Sequence, residues 1–75
     1  MSSTPRDPDF EALRVELGRR RADHGWTYDE LAERSGVSRR TLIAMETGTT
    51  HGRVESWFRI AQAFGIELGE LLKRL

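Results

Sequence analysis

The stretch Thr27–Gly48, TYDELAERSGVSRRTLIAMETG, decides the fold. Thr27-Tyr28-Asp29-Glu30 has the form of a capping box, in which the threonine hydroxyl and the glutamate carboxylate each satisfy a backbone amide at a helix start. The helix that follows is short. Ser35-Gly36 arrives fewer than about three turns later, and Gly36 takes a left-handed backbone at little cost. Ser38 then caps a second helix, which Gly48 stops. Val37, Leu42 and Met45 give that helix an inner edge, while Leu31 and the small Ala32 sit where the two helices cross closely. Arg39, Arg40, Ile43, Ala44 and Thr47 are left pointing outward, and the helix start at Ser38 offers its positive dipole end to a phosphate. Two helices joined by such a turn, the second with a polar outer face, form an element that can enter the major groove of DNA.

On the N-terminal side, Met1 to Arg6 are small or polar, with Pro5 among them, and are expected to form a flexible arm. Asp7-Pro8-Asp9 supplies an N-cap, a proline suited to a first helical turn and an acid that complements the helix dipole, so a helix is expected to start at Asp7. Phe10, Leu13 and Leu17 give it an apolar stripe, and Gly25 ends it. On the C-terminal side, Thr49 to Gly52 reads as a polar loop. Val54, Trp57, Ile60, Ala61 and Phe64 then mark the inner face of a fourth helix ended by Gly65, with Phe58 also expected in the core. Ile66, Leu68, Leu71, Leu72 and Leu75 suggest a short fifth helix. No stretch alternates with period two, and no repeat of fixed length occurs. The expected fold is therefore all-α, a compact domain of five helices over residues 7–75, with the two-helix element at about residues 27–47.

Composition narrows the function classes. Seventy-five residues, 37% hydrophobic and 32% charged, fit one globular domain, and no separate effector domain is expected. There is no cysteine to staple the chain or to hold a metal through thiolates. No apolar run approaches a membrane span and no signal-peptide order appears, so the expected location is the cytoplasm and no membrane partner is expected. The formal net charge is zero, so any attraction to phosphate must come from where the charges sit. Of the 12 basic residues only Lys73 is lysine, a bias that a GC-rich genome produces without functional cause. Arg19-Arg20-Arg21 is read as solvated surface plus one salt bridge. His24 and His51 lack carboxylate or cysteine neighbours at ligand spacing, and no phosphate loop or nucleophile-base arrangement is present. No metal, no cofactor and no enzymatic activity are expected.

The string from Gly25 to Gly48, followed by Ile60-Ala61-Gln62-Ala63-Phe64-Gly65-Ile66, resembles the lambda-repressor and Cro-like helix-turn-helix proteins, also called the xenobiotic response element family. The resemblance runs from about Leu13 to Leu72. It implies a lambda-repressor-like DNA-binding domain and a regulator of transcription whose partner is double-stranded DNA. The family's recognition helix corresponds to Ser38 through Thr47, with Arg39, Arg40 and Ala44 where base edges are touched. Thr27, Tyr28, Ser38, Thr47, Thr49 and Arg53 fall where phosphates are held, contacts that position rather than specify. Thr41 is expected to turn toward the preceding helix. The resemblance also pairs Arg21 with Glu46 as a structural salt bridge. Three departures stand out: Tyr28 replaces a glutamine that braces the first side chain of the recognition helix, Ser35 replaces an apolar residue, and Gly52 replaces a proline. The last two are expected to loosen the fold.

Members of this family often pair through the C-terminal end, which makes Leu68, Leu71, Leu72 and Leu75 the expected homodimer contact. A two-fold pair sets its recognition helices about 34 Å apart, one turn of DNA. Repression in a bacterial or phage setting is the expected mode, because a compact dimer on a promoter blocks polymerase unaided. Activation of the restriction-modification controller kind fits the same size, and an antitoxin-like or accessory module that binds a protein partner is the competing class.

Overall fold

The computed structural model describes residues 5–75, so most of the expected arm lies outside the described residues. Five helices follow in order: α1 (Phe10–Asp23), α2 (Tyr28–Ser35), α3 (Arg39–Glu46), α4 (Val54–Phe64) and α5 (Leu68–Leu71). The described residues contain no strand.

Local chemistry sets most of the boundaries. Both capping-box bonds at α2 are present: Glu30 N–H donates to Thr27 Oγ1 at 3.1 Å, and Thr27 N–H to Glu30 Oε1 at 2.9 Å. Ser38 Oγ accepts from Thr41 N–H at 3.1 Å and so starts α3. Between these helices Gly36 has φ 78°, the left-handed turn that the sequence requires. Helix α1 ends as Gly25 N–H donates to Ala22 C=O and Trp26 N–H to Arg21 C=O, a pair of bonds that closes its last carbonyls. Its start differs from expectation. The cap is Asp9, which accepts from Ala12 N–H at 2.9 Å, rather than Asp7. The reason lies across the molecule: the Asp9 N–H donates to Leu75 C=O at 2.8 Å, which ties the N-terminal entry to the C-terminal end and holds Asp9 outside the helix.

The core joins all five helices through Leu17, Leu31, Leu42, Met45, Ile60 and Leu71, each almost fully buried, with Leu13, Val37, Trp57, Ala61 and Phe64 around them. Each buried side chain of this size contributes about 2 kcal/mol against exposure, a large share for so small a domain. Two members of the expected α4 face are not in this core. Val54 is 71% and Phe58 48% exposed. Val54 is the first residue of α4 and projects beyond the packed turn, and Phe58 follows it four residues later on the same outer side.

The two positions expected to loosen the fold are both accommodated. Ser35 is buried, but its Oγ accepts the Val37 N–H at 3.1 Å and so braces the turn. Gly52 has φ 83°, and a Cβ there would lie 2.6 Å from Met45 Cε and 2.9 Å from Trp57 Nε1. Only glycine fits.

Leu71 is fully buried within one chain, and Leu68, Leu72 and Leu75 pack against the same core. Leu71 is thus removed from the expected dimer contact, because a helix of four residues has to turn its main apolar side chain inward to be ordered at all.

Candidate nucleic-acid interface

Helix α3 is fixed from behind before anything is placed on its front. Leu42 and Met45 anchor it in the core. Its C-terminal end is gripped by α1: Arg21 Nε donates to Glu46 Oε2 at 2.9 Å and Arg21 Nη2 to Glu46 Oε1 at 2.8 Å. Arg21 Nη1 donates in addition to Trp26 C=O at 2.9 Å, so one guanidinium ties α1, the α1–α2 link and α3 together. The hydrogen bonds to Glu46 raise the Arg21 pKa further above its ordinary value, with burial opposing them. Arg14 adds a bond from Nη1 to Glu46 C=O at 3.3 Å. Such a fork between two largely buried charges fixes the angle between the helices.

The outer side of α3 carries Arg39 and Arg40, both exposed, with Ile43 and Ala44 half-buried beside them. As the first two residues of the helix, they also carry backbone N–H groups that have no partner within it. Between Ser38 and Val54 the chain has three arginines and a single acid, Glu46. Because Arg21 occupies that acid, no acid of this segment pairs with Arg39, Arg40 or Arg53, and of the three only Arg39 meets an acid from elsewhere, Asp29 of α2. Charge placement thus supplies what the neutral composition withholds.

An open groove of about 500 Å³ runs between α3 and the start of α4, lined by Arg40, Thr41, Ala44, Thr50, Gly52, Arg53 and Ser56. Of the expected phosphate contacts, Arg53 is in this groove and at the N-cap of α4, where no side chain caps the helix. Its first amides remain available to an anion. Thr41, Thr50 and Ser56 were not among the expected contacts. Thr41 faces this groove rather than α2, because its Oγ1 accepts from Ser38 Oγ at 2.9 Å. A hydroxyl within four residues of an arginine on one groove wall is too common in sequences to have signalled the others.

The remaining expected contacts lie outside this groove and differ in freedom. Thr27 Oγ1 accepts from Glu30 N–H, which leaves its own hydrogen to donate outward. Ser38 Oγ spends its hydrogen on Thr41, so only the backbone at that end faces outward. Thr47 Oγ1 donates to Ile43 C=O at 2.7 Å and lies 3.3 Å from Thr49 Oγ1, which places both hydroxyls together past the end of α3. Tyr28 does not reach the recognition helix's first side chain. Its ring lies under the Arg21 guanidinium at 4.1 Å, and burial raises its hydroxyl pKa, with Glu46 adding to the effect. Beside Arg39 stands Asp29 instead, with Nε and Oδ1 3.2 Å apart.

Arg19, Arg20 and Arg21 depart from expectation, since each has an acid. Arg19 pairs with Glu16 and Asp23, Arg20 with Glu16 and Glu70, and Arg21 with Glu46. Among the described residues no group of three His, Cys, Asp or Glu side chains converges as a metal site would require. No described helix is long and apolar enough to cross a membrane.

Comparison with known proteins agrees with this geometry. The family model described as helix-turn-helix matches residues 11–71. An uncharacterised HTH-type transcriptional regulator of Methanocaldococcus jannaschii is 39% identical over 51 residues, which cover 68% of this chain and 77% of that protein. A second, from Methanothermobacter thermautotrophicus, is 42% identical over 55 residues, covering 73% and 80%. Among solved structures, the hypothetical transcription factor NHTF from Neisseria superposes with a TM-score of 0.70 at 28% identity, covering 93% of this chain and 86% of that one. These relatives carry the names of regulators and not of enzymes, and the curated ones are archaeal rather than bacterial.

Proposed function

This chain belongs to the helix-turn-helix family of DNA-binding transcriptional regulators, and from that premise we propose that it reads a specific duplex sequence through α3 and represses transcription in the cytoplasm. The observation that carries the reading is the outer side of α3: two adjacent exposed arginines, continuous with the Arg53 groove, on a segment whose one acid is neutralised from behind. Arg39 and Arg40 contact base edges, each able to present two donors to guanine O6 and N7, and Ala44 lies against the bases between them and Thr47. Thr27, Tyr28, Ser38, Thr47, Thr49 and Arg53 hold the phosphates on either side, joined by Thr50 and Ser56.

A helix of eight residues spans few base pairs, which supports a two-fold homodimer that reads two half-sites about one DNA turn apart. The partly exposed rims of Leu68, Leu72 and Leu75, rather than Leu71, are the surface for it. A compact pair seated on a promoter excludes polymerase, which favours repression over activation. The clustered arginines favour DNA over a protein partner as the ligand of α3.

Selection of bound duplexes from a random pool tests the reading. Wild type enriches a motif with two-fold symmetry, and enrichment of no motif at low salt contradicts sequence reading. Sedimentation at micromolar concentration tests the pair, and a strictly monomeric species contradicts it.

A further inference from the structure

Asp29 and Arg39 face each other across the helix-turn-helix, one at the second residue of α2 and the other at the first residue of α3. Their nearest atoms, Asp29 Oδ1 and Arg39 Nε, are 3.2 Å apart, although the two side chains are 81% and 59% exposed. A carboxylate so open, beside a surface that meets phosphates, repels DNA. Its cost to affinity is understandable if it adds selectivity. A free arginine side chain samples many rotamers, and an ion pair at Nε restricts them. Because Nε is the atom engaged, both Nη groups stay at the outer tip as a fork of the width that guanine O6 and N7 accept. Arg40, by contrast, has no ion partner among the described residues. Tyr28 cannot take the role, because its ring is held by Arg21.

We propose that Asp29 is a positioning residue that aims the Arg39 guanidinium at a guanine and so sets selectivity at one base pair. The inference rests on α3 reading DNA. Asp29 also lies in the first turn of α2, where an acid complements the helix dipole. That role alone would alter melting and leave base preference untouched.

The test is duplex selection from a random pool with wild type, Asp29→Asn, Arg39→Ala and the double variant, with thermal melts of each to confirm folding. Wild type shows one base pair whose preference Arg39→Ala abolishes. Asp29→Asn weakens that preference about two- to fivefold, the scale of an exposed ion pair, and leaves the other positions unchanged. In the Arg39→Ala background it changes nothing further at that position. An unaltered preference in Asp29→Asn, or equal flattening of all positions, overturns the positioning role. A motif indifferent to Arg39→Ala overturns it while leaving DNA reading intact, whereas no motif from wild type overturns the underlying reading and the inference with it.

Discussion

Two arginine clusters sit on helices that pack against each other: Arg19, Arg20 and Arg21 near the end of α1, and Arg39 and Arg40 at the start of α3. In the first, Glu16 is buried at 5% exposure and lies 2.7 Å from Arg19 and 2.6 Å from Arg20, with Arg74 behind at 3.8 Å. Arg21 is committed to Glu46. In the second, Arg39 has one exposed acid beside it and Arg40 has none among the described residues. The same residue type therefore builds the frame in one place and remains available to a ligand in the other. Pairing, not the number of arginines, separates structural from binding charge, which is how a chain of zero net charge can present a basic face.

Substitutions in the two clusters sharpen that contrast. The largest effect on stability is expected from Arg21→Ala, which leaves Glu46 charged, mostly buried and without its fork. Urea unfolding will show a loss of about 2–3 kcal/mol, near the low end for breaking a buried pair because both partners keep some solvent contact. An unchanged unfolding midpoint would break the comparison on its structural side. Arg40→Ala is expected to do the reverse. Affinity for the selected duplex falls about tenfold or more, the worth of one good base contact, while the melting temperature holds.

Acid titration reaches the paired cluster by another route. The Arg19 guanidinium holds the Glu16 carboxyl below its ordinary pKa, burial opposing it and Arg20 assisting. A folded-state pKa below the unfolded one means that this stability is complete above the unfolded value of about 4.3 and is lost as pH falls through the depressed folded value. Melting temperature followed across that window will fall less steeply in Glu16→Gln than in wild type. Equal slopes would show that the cluster contributes nothing through this carboxylate. The smallest effect is expected from Arg19→Ala. Its side chain is half-exposed and Glu16 keeps Arg20, so the melting temperature shifts little and DNA binding not at all.

What the sequence disclosed was largely what neighbours in the chain decide. Thr27 with Glu30, Gly36, and Ser38 with Thr41 act over four residues or fewer, and the periodic Leu31, Leu42 and Met45 locate the core without knowledge of their partners. Helix α1 starts later than its local signals indicate because Asp9 is held by Leu75, 66 positions away, which no local rule contains. Val54 and Phe58 follow the apolar period of α4 yet face outward, since periodicity counts residues and not the extent of what packs over them. Leu71 reads as part of a partner surface and yet is buried in its own core, because composition cannot tell an apolar residue that faces its own core from one that faces another copy. At the interface, the resemblance placed Arg39, Arg40 and Arg53 on the outer side of the fold. It offered no account of Asp29, whose place beside Arg39 depends on the angle between α2 and α3.

The division between paired and open arginines is tested most directly by equilibrium binding to the selected duplex over a range of salt concentrations, for wild type, Arg40→Ala/Arg53→Ala and Arg19→Ala. The logarithm of affinity against the logarithm of salt gives the number of phosphate charges neutralised. Arg40→Ala/Arg53→Ala will bind more weakly with a slope shallower by about one, for the phosphate that Arg53 holds, and Arg19→Ala will follow the wild-type line. Equal losses in affinity and slope from both variants would contradict the account.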